Sequence, residues 1–198
     1  MNPKISRAEA GDAATVAYVV ARAFQHLDVC RWLIADDQER GRILPHYFRI
    51  VTDHAFTHGT VEVADDLSGV AVWLAAPFPD ISGYDAALAA ACGLWTPHFQ
   101  LLDEAMHKAH PDAEATPHDY LAFLAVIPAE QGQGIGTGLL EHHHAVLDAA
   151  GRPAYLEASN RQSRRLYERH GYADCAESLN LPYRGERMQP MWRPAAGA

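Results

Sequence analysis

The stretch Gln131-Gly132-Gln133-Gly134-Ile135-Gly136-Thr137 constrains this chain more than any other. Apolar, strand-like residues from Tyr120 to Ile127 lead into it, and an amphipathic helical pattern from Leu139 to Ala149 leads out. Three glycines at alternate positions free the backbone to curl closely around something. The N–H groups that open the next helix then point into the curl. Their unpaired donors and the positive end of the helix dipole favour a phosphate as guest. Spacing removes two common phosphate loops. A dinucleotide fingerprint, G-x-G-x-x-G, would need glycine where the chain has Thr137 or Leu139, and a nucleotide P-loop would need a lysine that does not follow.

The pattern that fits is Q-x-x-G-x-G, preceded by Val126-Ile127-Pro128. Beyond the helix comes a second strand pattern, Pro153 to Ala158. Then Asn160-Arg161-Gln162-Ser163-Arg164-Arg165-Leu166-Tyr167-Glu168-Arg169-His170-Gly171-Tyr172 follows N-x-x-[SA]-x-x-L-Y-x-x-x-G-[FY]. These two motifs, in this order and separated by one helix and one strand, resemble the signatures of the GNAT (Gcn5-related) N-acetyltransferase superfamily. The resemblance covers about residues 119 to 193, with a looser fit upstream. It narrows towards the puromycin N-acetyltransferase-like branch, through Ala71-Val72-Trp73, Tyr155-Leu156-Glu157-Ala158-Ser159 and a helical insert, and so carries an expectation of antibiotic resistance.

The rest of the chain reads as one domain. Its 198 residues are 48% hydrophobic and 21% charged, enough for a single sizeable core. Lys4 to Arg7 reads as a strand, Gly11-Asp12 to Phe24 as a helix, and Asp37 to His58 as a helix that Pro45 should start or kink. Thr60 to Ala64 and Gly69 to Ala75 read as a hairpin. Tyr84 to Lys108 is helical, with Pro97 expected to split it. The implied fold is α+β in α/β/α layers: a mixed central sheet of about seven strands, flanking helices, and the helical insert between strands three and four. One domain is expected over residues 1–194, with a disordered tail at 195–198.

Charge and cysteine usage limit the partners. The net charge is −9. Residues 1–118 hold 8 Lys and Arg against 16 Asp and Glu, while residues 119–198 hold 8 against 9. An acidic surface disfavours nucleic acid and anionic membranes. The nearly neutral half carries the phosphate motifs, and the acidic half is left to face an acceptor, where a cationic amine would be welcome. A solvated acidic face serving solubility reads equally well. No stretch reaches the apolar length of a membrane span, and the N-terminus lacks the apolar core of a signal peptide. Cys30, Cys92 and Cys175 are too few and too spread for a disulfide framework; they read as small buried residues of a cytoplasmic protein.

The resemblance assigns roles to single residues. Its cofactor is acetyl-CoA. Leu124, Ala125 and Val126 would pair by backbone with the coenzyme arm, as a strand pairs with a ligand. Gln131, Gly132, Gln133, Gly134, Ile135, Gly136 and Thr137 would take the pyrophosphate, and a backbone N–H near Val126 would face the carbonyl oxygen. Asn160 and Ser163 open the next helix, Asn160 as its cap. Tyr167 would be the general acid for the leaving thiolate, and Glu157 the carboxylate best placed as base. By residue type alone, Tyr167 could be packing and Glu157 a strand-end carboxylate. Arg164 and Arg165 could reach a phosphate or simply face water. His46, Tyr47 and Trp73 are candidate acceptor-pocket walls or ordinary core. His142-His143-His144 invites a metal, but consecutive helical residues point apart, and no metal is expected.

The resulting reading is an acetyl-CoA-dependent N-acetyltransferase. Its acceptor is a primary amine of a small molecule, attacking directly in a ternary complex, and the protein is a monomer or homodimer. Two alternatives stand beside it: a non-catalytic acyl-CoA-binding module, and an acetyltransferase for a protein or peptide amine. A deep pocket roofed by residues 78 to 110 would favour the small molecule; a long open groove would favour the peptide.

Overall fold

The computed structural model describes residues 4–197, so Ala198 of the expected tail lies outside the described residues, as do Met1, Asn2 and Pro3. The order of elements is β1 (Ile5–Arg7), α1 (Ala13–Phe24), α2 (Asp28–Leu33), α3 (Asp37–His58), β2 (Gly59–Ala64) and β3 (Gly69–Ala76). Then come α4 (Tyr84–Cys92), α5 (Thr96–Ala109), β4 (His118–Val126), α6 (Ile135–Ala150), β5 (Ala154–Ala158), α7 (Arg161–Arg169), β6 (Ala173–Asp174) and β7 (Gln189–Arg193). The strands form one seven-stranded sheet in the order β1-β2-β3-β4-β5-β7-β6. It is mixed: β4 and β5 run parallel, and the other neighbours are antiparallel. This is the α+β, three-layer fold expected from the motifs.

Alternation along the strands divides the core between the two sheet faces. Val70, Val72 and Leu74 of β3 join Tyr120 and Tyr155 under α1 to α5. Ala71, Trp73, Leu121 and Leu156 face the other way, against Leu139, Leu140 and Leu147 of α6 and Tyr167 of α7.

Two breaks in the sheet's regularity shape its centre. The β3–β4 register jumps from Val72↔Phe123 to Trp73↔Leu121, which leaves Ala122 as an extra residue in β4. Such a bulge re-aims its neighbours. Further, β4 and β5 pair only at Asp119↔Ala154 and Tyr120↔Tyr155. Beyond Tyr120 the two strands part, and β4 keeps β3 as its only strand neighbour.

Several local readings need correction. The six-residue α2 lies in a stretch too short to show helical periodicity. The insert breaks at Gly93–Trp95 rather than at Pro97, which sits in the first turn of α5, where its missing N–H costs nothing. Helix α3 runs on through Pro45. Cys30 and Cys92 are buried, whereas Cys175 is exposed. Among the described residues, no helix is long and apolar enough to cross a membrane.

Candidate active site

The loop after β4 adopts the curl that its glycines allow. Gly132 and Gly134 have φ of 80° and 85°, a region that side chains with a Cβ enter at a cost. Gly134 is the N-cap of α6 and offers no side chain to the helix end. The first N–H to bond within this turn is that of Gly138, to Gly134 O at 2.9 Å. The N–H groups of Ile135, Gly136 and Thr137 are thus left to an outside acceptor. Gly136 lies inside the helix, where an added Cβ would meet Leu166 Cδ2 at an ordinary contact distance of 3.5 Å.

A cleft of about 360 Å³ opens in front of these donors. Gln131, Gly132, Gly134 and Thr137 border it from the loop, Leu124 and Val126 from β4, and Asn160, Ser163 and Tyr167 from α7. Most of the residues expected to hold the coenzyme therefore share one cavity. Two do not point there. Ala125 is buried in the opposite face of the sheet. Gln133 donates its side-chain amide to Glu130 Oε2 at 2.7 Å. The expected base, Glu157, does not border this cleft either. Gln131 borders the cleft while its Nε2 donates to Val126 O at 3.0 Å, closing the exposed end of β4. His26, Glu130 and Arg169 also reach the cleft and were not singled out from sequence; among the described residues, Arg169 has no ion-pair partner. Arg164 is instead paired with Asp174 at 2.6 Å, and Arg165 is exposed.

Helix α7 is held at its start by a reciprocal cap. Ser163 N–H donates to Asn160 Oδ1 at 2.7 Å, and Asn160 N–H to Ser163 Oγ at 3.3 Å. That fixes Tyr167 one turn on. Burial pushes the Tyr167 phenol well above its usual pKa, so it stays protonated at neutral pH.

A second and larger cavity, about 880 Å³, lies on the other side of β4 beneath the insert. The bulge turns both Ala122 and Phe123 into it, beside Tyr120. Tyr47 and Phe78 add further walls, and Tyr84, Asp103 and Met106 come from the insert. Tyr47 is the one expected acceptor wall found here. His46 is exposed on α3. Trp73 is buried on the far face of the sheet, stacked on His143 with ring centres 4.1 Å apart, because strand alternation sends it opposite Val72.

At the Tyr120 wall, the Tyr120 hydroxyl donates to Glu157 Oε2 at 3.0 Å. Glu157 Oε1 is buried and has no hydrogen-bond partner among the described residues. Burial pushes this carboxyl up to about 7, against the opposing pull of the Tyr155 and Tyr120 hydroxyls. A carboxyl balanced near neutrality can take and return a proton.

The far face carries a different cluster. His143 Nδ1 and Nε2 lie 3.1 Å from Glu62 Oε1 and 3.1 Å from Asp119 Oδ2, and Arg152 Nε lies 2.7 Å from Asp119 Oδ1. Burial works against the imidazolium, but the two carboxylates outweigh it and raise the His143 pKa. His144 bonds the Tyr172 hydroxyl at 3.0 Å instead, and burial pushes it down to about 3. His142 Nε2 lies 3.8 Å from the same Glu62 oxygen as His143, and only His144 of the three turns to Tyr172. Among the described residues, no group of three or more His, Cys, Asp or Glu side chains is arranged to hold a metal ion.

Comparison with known proteins agrees with this geometry. Residues 101–174 match the family model described as an acetyltransferase (GNAT) domain. Over 100% of this chain and 99% of the other, the fold is similar to a Corynebacterium glutamicum ATCC 13032 protein described as histone acetyltransferase HPA2 and related acetyltransferase, with 25% identity and a TM-score of 0.73. The same fold appears in arylalkylamine N-acetyltransferase 2 from Aedes aegypti (14% identity, TM-score 0.61, 98% of this chain and 99% of that one). It appears again in the ribosomal-protein-S18-alanine N-acetyltransferase from Escherichia coli (19% identity, TM-score 0.54, 98% and 95%).

Proposed function

From the premise that this chain carries a GNAT N-acetyltransferase domain, we propose that it moves an acetyl group from acetyl-CoA to a primary amine of a small molecule, by direct attack in a ternary complex. One observation carries the reading. Strand β4 borders both cavities, with Leu124 and Val126 in the smaller and Tyr120, Ala122 and Phe123 in the larger, at the place where β5 leaves it. A donor in one cavity and an acceptor in the other would meet across this gap.

The smaller cleft suits acetyl-CoA. The free N–H groups of α6 and the Arg169 side chain would hold its phosphates, and the unpaired edge of β4 its amide arm. When bound, acetyl-CoA supplies the acetyl group as a thioester. Tyr167 would give its proton to the departing sulfur, for which a phenol that stays protonated is suited. Glu157 would accept the proton that the amine sheds. A backbone N–H near Val126 would steady the carbonyl oxygen.

The larger cavity would receive the amine. Residues of the stretch from 78 to 110 supply most of its lining, as the small-molecule reading asks, while the cavity stays open on one side. Puromycin belongs among the compounds to be tried, on the motif resemblance to its acetyltransferases.

Thiol release from acetyl-CoA across a panel of amines tests the proposal. The panel holds puromycin, aminoglycosides, polyamines, arylalkylamines, amino acids and short peptides. Turnover with a small amine is expected. Turnover with peptides alone would overturn the small-molecule reading, and tight acetyl-CoA binding with silence across the panel would favour a binding module.

A further inference from the structure

The larger cavity has a chemical character of its own. Three carboxylates border it, Asp80, Asp85 and Asp103, and no Lys or Arg does. Asp80 and Asp85 are exposed at the rim, where solvent screens them. Asp103 is half-buried on α5, and its Oδ2 accepts the Tyr84 hydroxyl at 2.8 Å across the break in the insert. Its Oδ1 takes no hydrogen bond among the described residues. Around it stand the rings of Tyr47 and Tyr84 and the thioether of Met106, with Phe78 and Tyr120 further along the wall. A carboxylate set among aromatic faces suits a cation carried on an apolar body. Two histidines, His107 and His110, also border the cavity, and burial holds His110 neutral with a pKa of about 4.

A second carboxylate lies behind the Tyr120 wall. Glu157 Oε1 is buried without a partner, and Asp103 belongs to a different wall of the cavity. Glu157 is not itself on the lining and meets the cavity through the Tyr120 hydroxyl, whereas Asp103 lines it directly.

We propose that the acceptor is a diamine or other dication on an aromatic or apolar body: one primary amine is acetylated at the Tyr120 wall, which Glu157 backs, and the second cationic group is read by Asp103. This rests on the larger cavity being the acceptor site. Asp103 is here a specificity-determining residue, and the reaction itself is unchanged. The amine nitrogen bonds to the acetyl carbon, the carbon–sulfur bond breaks, one amine proton goes to Glu157, and the thiolate takes the Tyr167 proton.

The test compares 1,4-bis(aminomethyl)benzene with benzylamine, which share a ring and differ by one aminomethyl group. In the unaltered protein, kcat/KM for the diamine should exceed that for the monoamine by about tenfold or more, the factor of one charge-assisted hydrogen bond. Asp103→Asn keeps an acceptor for Tyr84 and should bring the ratio close to one, mainly through KM of the diamine. A ratio that survives Asp103→Asn, or the absence of any preference, overturns the proposal. Calorimetric titration of the same amines, without acetyl-CoA, separates this from failure of the catalytic reading. Diamine binding that weakens in Asp103→Asn supports the recognition even where neither amine is acetylated. Binding of neither amine overturns it.

Discussion

The two faces of the sheet each bury ionisable groups beside β4, and the clusters differ in how their charge is answered. On the far face, the Glu62 and Asp119 carboxylates share the His143 imidazole, and Arg152 closes the chain. On the near face, Glu157 has phenols for neighbours, and one of its oxygens has no partner. Both clusters leave a carboxylate oxygen unmatched, since Glu62 Oε2 is also without a partner. The difference lies in the counter-charge. Opposite charges hold Asp119 below the usual carboxylate range despite its burial. Glu157 has no cation beside it and is pushed up to about 7. A buried carboxylate answered by cations is scaffold; one answered only by hydroxyls is free to exchange a proton.

The comparison breaks most directly at His143. His143→Ala removes the imidazole that joins Glu62 to Asp119 and leaves Arg152 alone on Asp119. It should lower stability by about 3–5 kcal/mol, as loss of one partner in a buried ion cluster does. Turnover per folded molecule should persist. Denaturant unfolding paired with active-site titration reads both. A variant of full stability would show that the far cluster does not hold α6 on the sheet.

Next in size are the near-face changes. Tyr167→Phe should cut kcat by about 10²–10⁴-fold while calorimetry finds acetyl-CoA bound as before, the loss expected of a missing general acid. Unchanged turnover would make Tyr167 a packing residue. Such a result would strike at one of the few roles that sequence assigns to a single atom.

Stability and activity should also answer pH in opposite directions. The raised His143 pKa contributes stability that is complete below its unfolded value of about 6.5 and is lost as pH rises through the folded one. The depressed Asp119 pKa contributes stability that is present above about 3.9 and is lost as pH falls through its folded value. Glu157, raised to about 7, binds its proton more tightly when folded, so it too favours the folded state on the acid side. Thermal unfolding should therefore be most resistant near pH 4, and should weaken as pH rises from about 4.3 to 7 through Glu157 and above about 6.5 through His143. Catalysis that needs ionised Glu157 should still be rising there. Coincident optima would contradict the division of labour.

The smallest expected effect is at the phosphate loop. Gly134→Ala places a Cβ at φ 85° and should cost about 1 kcal/mol of stability, while raising KM for acetyl-CoA. An unchanged KM would remove the loop from cofactor binding.

What sequence made legible follows from range. The curl at Gly132 and Gly134, the Asn160–Ser163 cap and the placing of Tyr167 one turn later are decided within a few residues, so spacing alone exposes them. The sheet and its insert follow from periodicity. The acceptor side does not. Tyr84 and Asp103 meet across 19 residues and a helix break, and Tyr120 reaches Glu157 across 37. The bulge that turns Ala122 and Phe123 into one cavity has no signature in the sequence of β4. Trp73 illustrates the limit. Alternation says that it opposes Val72, but only the packed structure says which face holds the pocket. His46 fails for the same reason on a helix, one residue from Tyr47 and on the solvent side.

The pH dependence of kcat/KM, measured side by side for the unaltered protein and Glu157→Gln with the best amine of the panel, tests the central claim most directly. The account predicts an acid limb with an apparent pKa of about 7 in the unaltered protein, and its loss, with about a 10²-fold lower rate at neutral pH, in Glu157→Gln. The same limb in both proteins would contradict it and place the base elsewhere.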